Sequence, residues 1–124
     1  KINKGALSVG DKVELKVNEN VRHGVETNHS TTHILHSVLR EVLGTHVGQA
    51  GSLVAPGRLR FDFTHHSPID NKDIKKMEDM INERIRWDDN VTIETDVAYD
   101  DAIKKGAMAF FEEKYGDKVR VVNI

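Results

Sequence analysis

His29 and His33 stand four residues apart, a spacing that places two side chains one above the other on a helix face. Two imidazoles so placed reach a single zinc ion. A zinc-protease helix carries Glu directly after its first His as general base, and Ser30 occupies that place here, which argues against peptide hydrolysis. Two nitrogens do not close a tetrahedral site, and the chain contains no cysteine. His46, His65 and His66 are further imidazoles on segments whose geometry the sequence does not fix. The pair alone is a weak signal, because histidines at this spacing also occur on ordinary surface and core faces.

The element that must position the pair is a helix over residues 29–43. Ile34, Leu35, Val38, Leu39, Val42 and Leu43 recur at helical spacing. Asn28 is the expected N-cap and Gly44 the expected left-handed C-terminal cap. On the helical wheel His29, Thr32, His33 and His36 fall on one edge, beside the apolar arc. Residues 47–54 and 59–63 read as a hairpin around Ala55-Pro56-Gly57-Arg58, with Gly48 and Gly51 marking a bulge or close backbone approach. Phe61 and Phe63 face the core, and Arg60 and Asp62 share the other face.

Elsewhere, Val13, Leu15 and Val17 alternate as a half-buried strand, and residues 18–27 read as a polar linker. A second amphipathic helix spans 71–87, with Ile74, Met77, Ile81 and Ile85 on one side and Asp70 as its cap. A strand over 91–97, a short helix from Asp100 or Asp101 to Gly106, an apolar run over 107–111 and a last strand over 119–122 complete the order. Mixed helices and strands without a strict βαβ rhythm predict an α+β fold with a mixed, largely antiparallel sheet and two main helices. His65-His66 read as a turn before Ser67-Pro68.

A hydrophobic fraction of 38% and a charged fraction of 31% fit a globular domain and exclude wholesale disorder. No apolar run is long enough to span a bilayer, and the first residues do not form a signal peptide. The formal net charge is -2, so any RNA contact must be local or come from elsewhere, since phosphate contacts need a basic excess.

Three strings change the weight of the His pair. Asn28-His29-Ser30-Thr31-Thr32-His33-Ile34-Leu35-His36, then Leu43-Gly44-Thr45-His46-Val47-Gly48-Gln49-Ala50-Gly51-Ser52-Leu53-Val54, then Leu59-Arg60-Phe61-Asp62-Phe63 resemble the editing domain of alanyl-tRNA synthetases. Asn82-Glu83-Arg84-Ile85, Gly106-Ala107-Met108-Ala109 and the run from Glu113 through Val122 continue the resemblance in register. The related threonyl-tRNA synthetase editing module and free-standing alanyl-tRNA editing proteins share the His pair. Glu112 stands where the family often has Gly.

The resemblance implies that His29 and His33 are two of four zinc ligands. The family's other two come from a Cys-x-x-x-His segment beyond the strand at 119–122, and this sequence stops short of it. The expectation is therefore residues 1–24 as the end of a preceding β module or a linker, and 25–124 as an editing domain cut before that segment and inactive alone. The implied reaction is hydrolysis of serine or glycine from the alanine tRNA, in a cytoplasmic synthetase whose ATP and magnesium belong to its other domains. A non-catalytic module binding the tRNA acceptor end, or a free-standing deacylase, is the alternative.

Zinc at the pair would activate a water or anchor the substrate. Thr32 and Gln49 are the expected catalytic side chains. The Thr32 hydroxyl either bonds substrate serine or water, or bonds back onto the preceding turn, and Gln49 either reaches into a pocket or lies on the surface. Arg60 and Asp62 would orient the terminal adenosine or pair with each other as an exposed salt bridge. His36 either supports His33 or caps the packed face. Lys105, Lys114 and Lys118 either meet phosphate or form a solvated face.

Overall fold

The computed structural model describes residues 3–109 and 115–124. Its elements run α1 (Glu19–Leu43), β1 (Gln49–Ala55), β2 (Arg58–Phe63), α2 (Asn71–Trp87), β3 (Thr92–Ala98), α3 (Tyr99–Lys104) and β4 (Lys118–Asn123). The class is α+β as expected, but the strands form two separate antiparallel pairs, β1–β2 and β3–β4. The expected single sheet is corrected to two ribbons. Glu112, Lys114 and the end of the apolar run over 107–111 lie outside the described residues.

The largest departure from the sequence reading is the length of α1, which begins ten residues early and absorbs the expected linker. Asn18, not Asn28, is the N-cap, its Oδ1 accepting from the Val21 N–H at 3.1 Å. Glu19 sits in the first turn, where the helix dipole favours an acid. Local propensity does not favour this extension, since Gly24 lies in the helix interior. Packing supplies the reason. A Cβ at Gly24 would stand 2.6 Å from the Pro56 carbonyl oxygen, so the missing side chain lets the first turns of α1 lie against the β1–β2 turn. One helical turn later, the Asn28 Nδ2 donates to the Ala55 carbonyl at 2.7 Å. Asn28 therefore ties the helix to the hairpin instead of capping it.

Gly44 ends α1 with φ 117 and ψ 161, a region open to glycine but not the left-handed helical cap expected. The strand expected over residues 13–17 is absent. Val13, Leu15 and Val17 are exposed, and among the described residues no second strand pairs with them to bury one side.

Val38, Leu39, Val47 and Met77 form the buried core, with Ile34, Leu35, Phe61, Phe63 and Ile81 packed against it. The core lies where α1 meets α2 and the hairpin. Arg84 of α2 reaches across to α1, donating from Nη1 to the Ser37 Oγ at 3.0 Å and pairing through Nη2 with Glu41. Ile74 and Ile85, expected on the packed side of α2, are exposed. Asp70 occupies the α2 N-cap position, and its backbone carbonyl, not its side chain, receives the first N–H groups. In the remaining elements α3 packs on β3 and β4. Among the described residues no helix is long and apolar enough to cross a membrane.

Candidate functional site

The hairpin lies across α1 so that one face of β1 and β2 looks onto the histidine edge of the helix. Between them is a cavity of about 130 Å³ lined by His29, Thr32, His33, His36, Gln49, Ser52 and Phe61. Five residues singled out in the sequence, His29, Thr32, His33, His36 and Gln49, thus meet at one opening.

The two imidazoles of the pair stand edge to face, with ring centroids 4.9 Å apart. Burial, then the neighbouring His29 and then His36, lower the His33 pKa below the ordinary 6.5. The neutral ring is the form that offers a lone pair to a metal or a proton. His36 forms the buried base of the site, its ring 5.0 Å from that of Phe61. Its Nε2 lies 3.5 Å from the Val47 carbonyl, to which Arg40 also donates at 2.9 Å. Burial is the first cause of a lowered His36 pKa; the Val47 carbonyl opposes it and Arg40 reinforces it.

Thr32 is buried at 6% exposure and its hydroxyl donates to the Asn28 carbonyl at 2.8 Å. The bond back to the preceding turn is therefore present, and it does not remove Thr32 from the cavity. With its proton committed, the oxygen can only accept.

Gln49 and Ser52 share the cavity because of a register shift. The pairs are Gln49 with Phe63, Gly51 with Asp62 and Ser52 with Phe61, with an irregularity between Gln49 and Gly51. Residues three apart on a regular strand point to opposite faces; one extra residue in a bulge brings them to the same face. Sequence reasoning did not single out Ser52, and it assigned Phe61 to the core alone. Gly48 and Gly51 were the available signal, and strand periodicity without the bulge would have turned Ser52 away.

Arg60 and Asp62 occupy the opposite face of the hairpin and do not line the cavity. They are paired with each other at 3.1 Å, and the Asp62 carboxylate crosses above Gly51, where a Cβ would stand 2.8 Å from Oδ2. Lys105 pairs with Glu94 at 3.4 Å.

The donor set at the pair fits zinc in part. Two imidazoles at the rim supply half of a tetrahedral shell, and the third ring in the cavity, His36, has its Nε2 turned toward Val47. A complete shell at His29 and His33 needs ligands beyond these two.

No family model matches the chain. Among curated proteins, it is 53% identical over 121 residues to an alanine–tRNA ligase of Fervidobacterium nodosum, covering 97% of this chain. It is 50% identical over 123 residues, 99% of this chain, to alanine–tRNA ligases of a Thermoanaerobacter species and of a Chelativorans species. In each case the chain spans 14% of the relative's length. Along nearly its whole length, this chain is therefore homologous to one segment of the alanine–tRNA ligases.

Proposed function

We propose that the chain is the editing domain of an alanine–tRNA ligase, hydrolysing the ester that joins serine or glycine to the alanine tRNA. The observation that carries this reading is the joint opening of His29, Thr32, His33, Gln49 and Ser52 onto one small cavity. A synthetic pocket for alanine discriminates poorly against glycine, which is smaller, and against serine, which adds a hydroxyl, so accuracy calls for a second, hydrolytic site.

The cavity takes the aminoacyl group, and the terminal adenosine lies outside its mouth. Thr32, an acceptor only, receives a hydrogen bond from the serine hydroxyl or from the attacking water. Alanine has no hydroxyl to give, so it loses that bond and leaves a buried acceptor unmatched; this contact sets serine apart from alanine, and glycine, which also lacks a hydroxyl, does not use it. The Gln49 amide holds the amino group or the carbonyl from the hairpin side, and Phe61 and the buried His36 keep bulk solvent from the base of the site. His29 and His33 would hold a zinc ion together with further ligands, and the ion would supply a water of lowered pKa or an anchor for the substrate. Arg60 and Asp62, paired with each other on the far face of the hairpin, take no part in this pocket.

The tRNA acceptor end is the partner, and with a formal net charge of -2 most phosphate contacts fall to other domains of a cytoplasmic synthetase, which also hold ATP and magnesium. The boundary expected near residue 25 falls inside α1, whose residues 19–24 belong with the domain because Gly24 lies against Pro56 of the hairpin turn; only residues 1–18 are left as the end of a preceding module or a linker.

The test uses a full-length alanine–tRNA ligase carrying this segment, assayed for release of serine from serine-charged alanine tRNA. His33→Ala should reduce deacylation by about 100-fold or more while alanine charging persists, a loss in the range of first-order catalytic groups. Unchanged deacylation in a folded His33→Ala enzyme would refute the reading, and loss of folding together with hydrolysis would make the pair structural.

A further inference from the structure

A second imidazole cluster lies at the open end of the hairpin, made of residues that do not line the cavity. His46 leads into β1, and His65 and His66 follow β2. The two segments are locked side by side. The Thr64 N–H donates to the Gly48 carbonyl at 3.0 Å, and the Gly48 N–H donates to the Thr64 Oγ1 at 3.2 Å. Ring centroids are 5.1 Å apart for His46 and His65, 4.7 Å for His46 and His66, and 4.8 Å for His65 and His66. One nitrogen from each ring lies within 4.8 Å of the others.

We infer that His46, His65 and His66 form a binding site for a late first-row divalent metal ion such as zinc or cobalt, separate from the His29–His33 pair. Three imidazoles without thiolate or carboxylate are a borderline donor set that suits these ions and not calcium or magnesium. Metal–nitrogen bonds of about 2.0–2.1 Å put the nitrogens of a tetrahedral site roughly 3.3 Å apart. The His46 Nε2 and His65 Nδ1 already stand 2.9 Å apart. Closing the widest separation takes a movement of about 1.5 Å, within reach of side-chain rotation because His46 and His66 are exposed. Solvent then completes the shell.

Two features beyond the cluster orient its rings. His65 Nε2 lies 3.2 Å from the Ser67 Oγ, so an Nε2–H given to Ser67 leaves Nδ1 with its lone pair toward the other rings. This is the outer hydrogen bond that fixes the tautomer of a metal-bound histidine. The His46 ring packs over Gly44, where a Cβ would come within 2.9 Å of Nδ1, and Gly44 thus leaves room for that ring with Nε2 turned to His65. Without metal, the His46 Nε2–H donates to His65 Nδ1. On binding, this proton passes through solvent to the His46 Nδ1, and both facing lone pairs go to the ion.

The experiment titrates cobalt(II), and separately zinc(II), into the 124-residue chain, following cobalt absorption and the ring-nitrogen resonances of each histidine with zinc. The expected result is one equivalent bound in a His29→Gln/His33→Gln background, with zinc shifting the His65 Nδ1, His46 and His66 ring signals. His65→Gln should weaken binding roughly 100-fold or more, and Ser67→Ala, which leaves all three rings, by about 10-fold. Failure of binding in the His29→Gln/His33→Gln chain, unchanged affinity in His65→Gln, or zinc-induced shifts confined to His29 and His33 in the unsubstituted chain would each overturn the inference. Should a substituted chain unfold, the ring-nitrogen shifts of the unsubstituted chain decide. None of these readouts involves deacylation, so the proposed editing reaction stands or falls separately.

Discussion

Gly24→Ala sets two effects of opposite sign against each other. In an exposed helix interior, replacing glycine by alanine stabilises by about 1 kcal/mol. Here the new Cβ would stand 2.6 Å from the Pro56 carbonyl oxygen and 3.0 Å from its Cα. Both are backbone atoms of a tight turn and cannot swing aside as the end of a side chain would. Relief requires α1 to withdraw from the hairpin by several tenths of an ångström, which strains the Asn28–Ala55 bond of 2.7 Å. Overpacking of this kind costs about 1–3 kcal/mol, and a weakened hydrogen bond about 0.5–1.5 kcal/mol. The net expectation is a loss of roughly 0.5–3.5 kcal/mol, or about 2–14 °C in Tm for a chain of this size. Urea denaturation followed by far-ultraviolet circular dichroism measures it. A variant more stable by about 1 kcal/mol would show that the first turns of α1 do not pack on the β1–β2 turn, and the placing of His29 and His33 opposite Gln49 and Ser52 would lose its support.

Two other outcomes concern the core and the histidines His33 and His36. Leu39, 3% exposed, should cost about 2–5 kcal/mol when changed to Ala, measured by the same denaturation; a loss under 1 kcal/mol would contradict the packing of α1 on α2 and the hairpin. Burial and neighbouring positive charge lower the pKa values of His33 and His36 from 6.5, so between 6.5 and the folded values the unfolded chain binds more protons. Stability in metal-free buffer is then fully present above pH 6.5 and falls as the pH drops below it. A His36→Gln/His33→Gln chain should show a flatter dependence over that window, and an unchanged slope would place the titration elsewhere.

Much of this was legible in residue order, and the failures share one cause. The helical spacing of Ile34, Leu35, Val38 and Leu39 identified the central part of α1, and the Pro56-Gly57 turn identified the hairpin. Asp70 and the stripe through Met77 located α2. Those signals are local. The first ten residues of α1 are helical because Gly24 and Asn28 meet the hairpin turn, a contact between segments about thirty positions apart that no local pattern carries. The strand expected over 13–17 failed for the complementary reason, since alternation needs a pairing partner to become a strand. At the site, helix geometry placed His29, Thr32, His33 and His36 together, but Ser52 depended on a bulge whose position glycine alone does not specify. His46, His65 and His66 are drawn together by the hairpin register, so their proximity was invisible until the strands were aligned.

The central claim is that the cavity between α1 and the hairpin receives a misacylated adenosine end. Its most direct test is a titration of the isotopically labelled chain with a non-hydrolysable 3′-seryl-amide analogue of adenosine, followed by NMR. The result expected is saturable movement of the His29 and His33 ring signals together with the Gln49 and Ser52 amides, weaker with the alanyl analogue, which cannot donate to Thr32. Shifts confined to β3 and β4, or none at millimolar analogue, would contradict it.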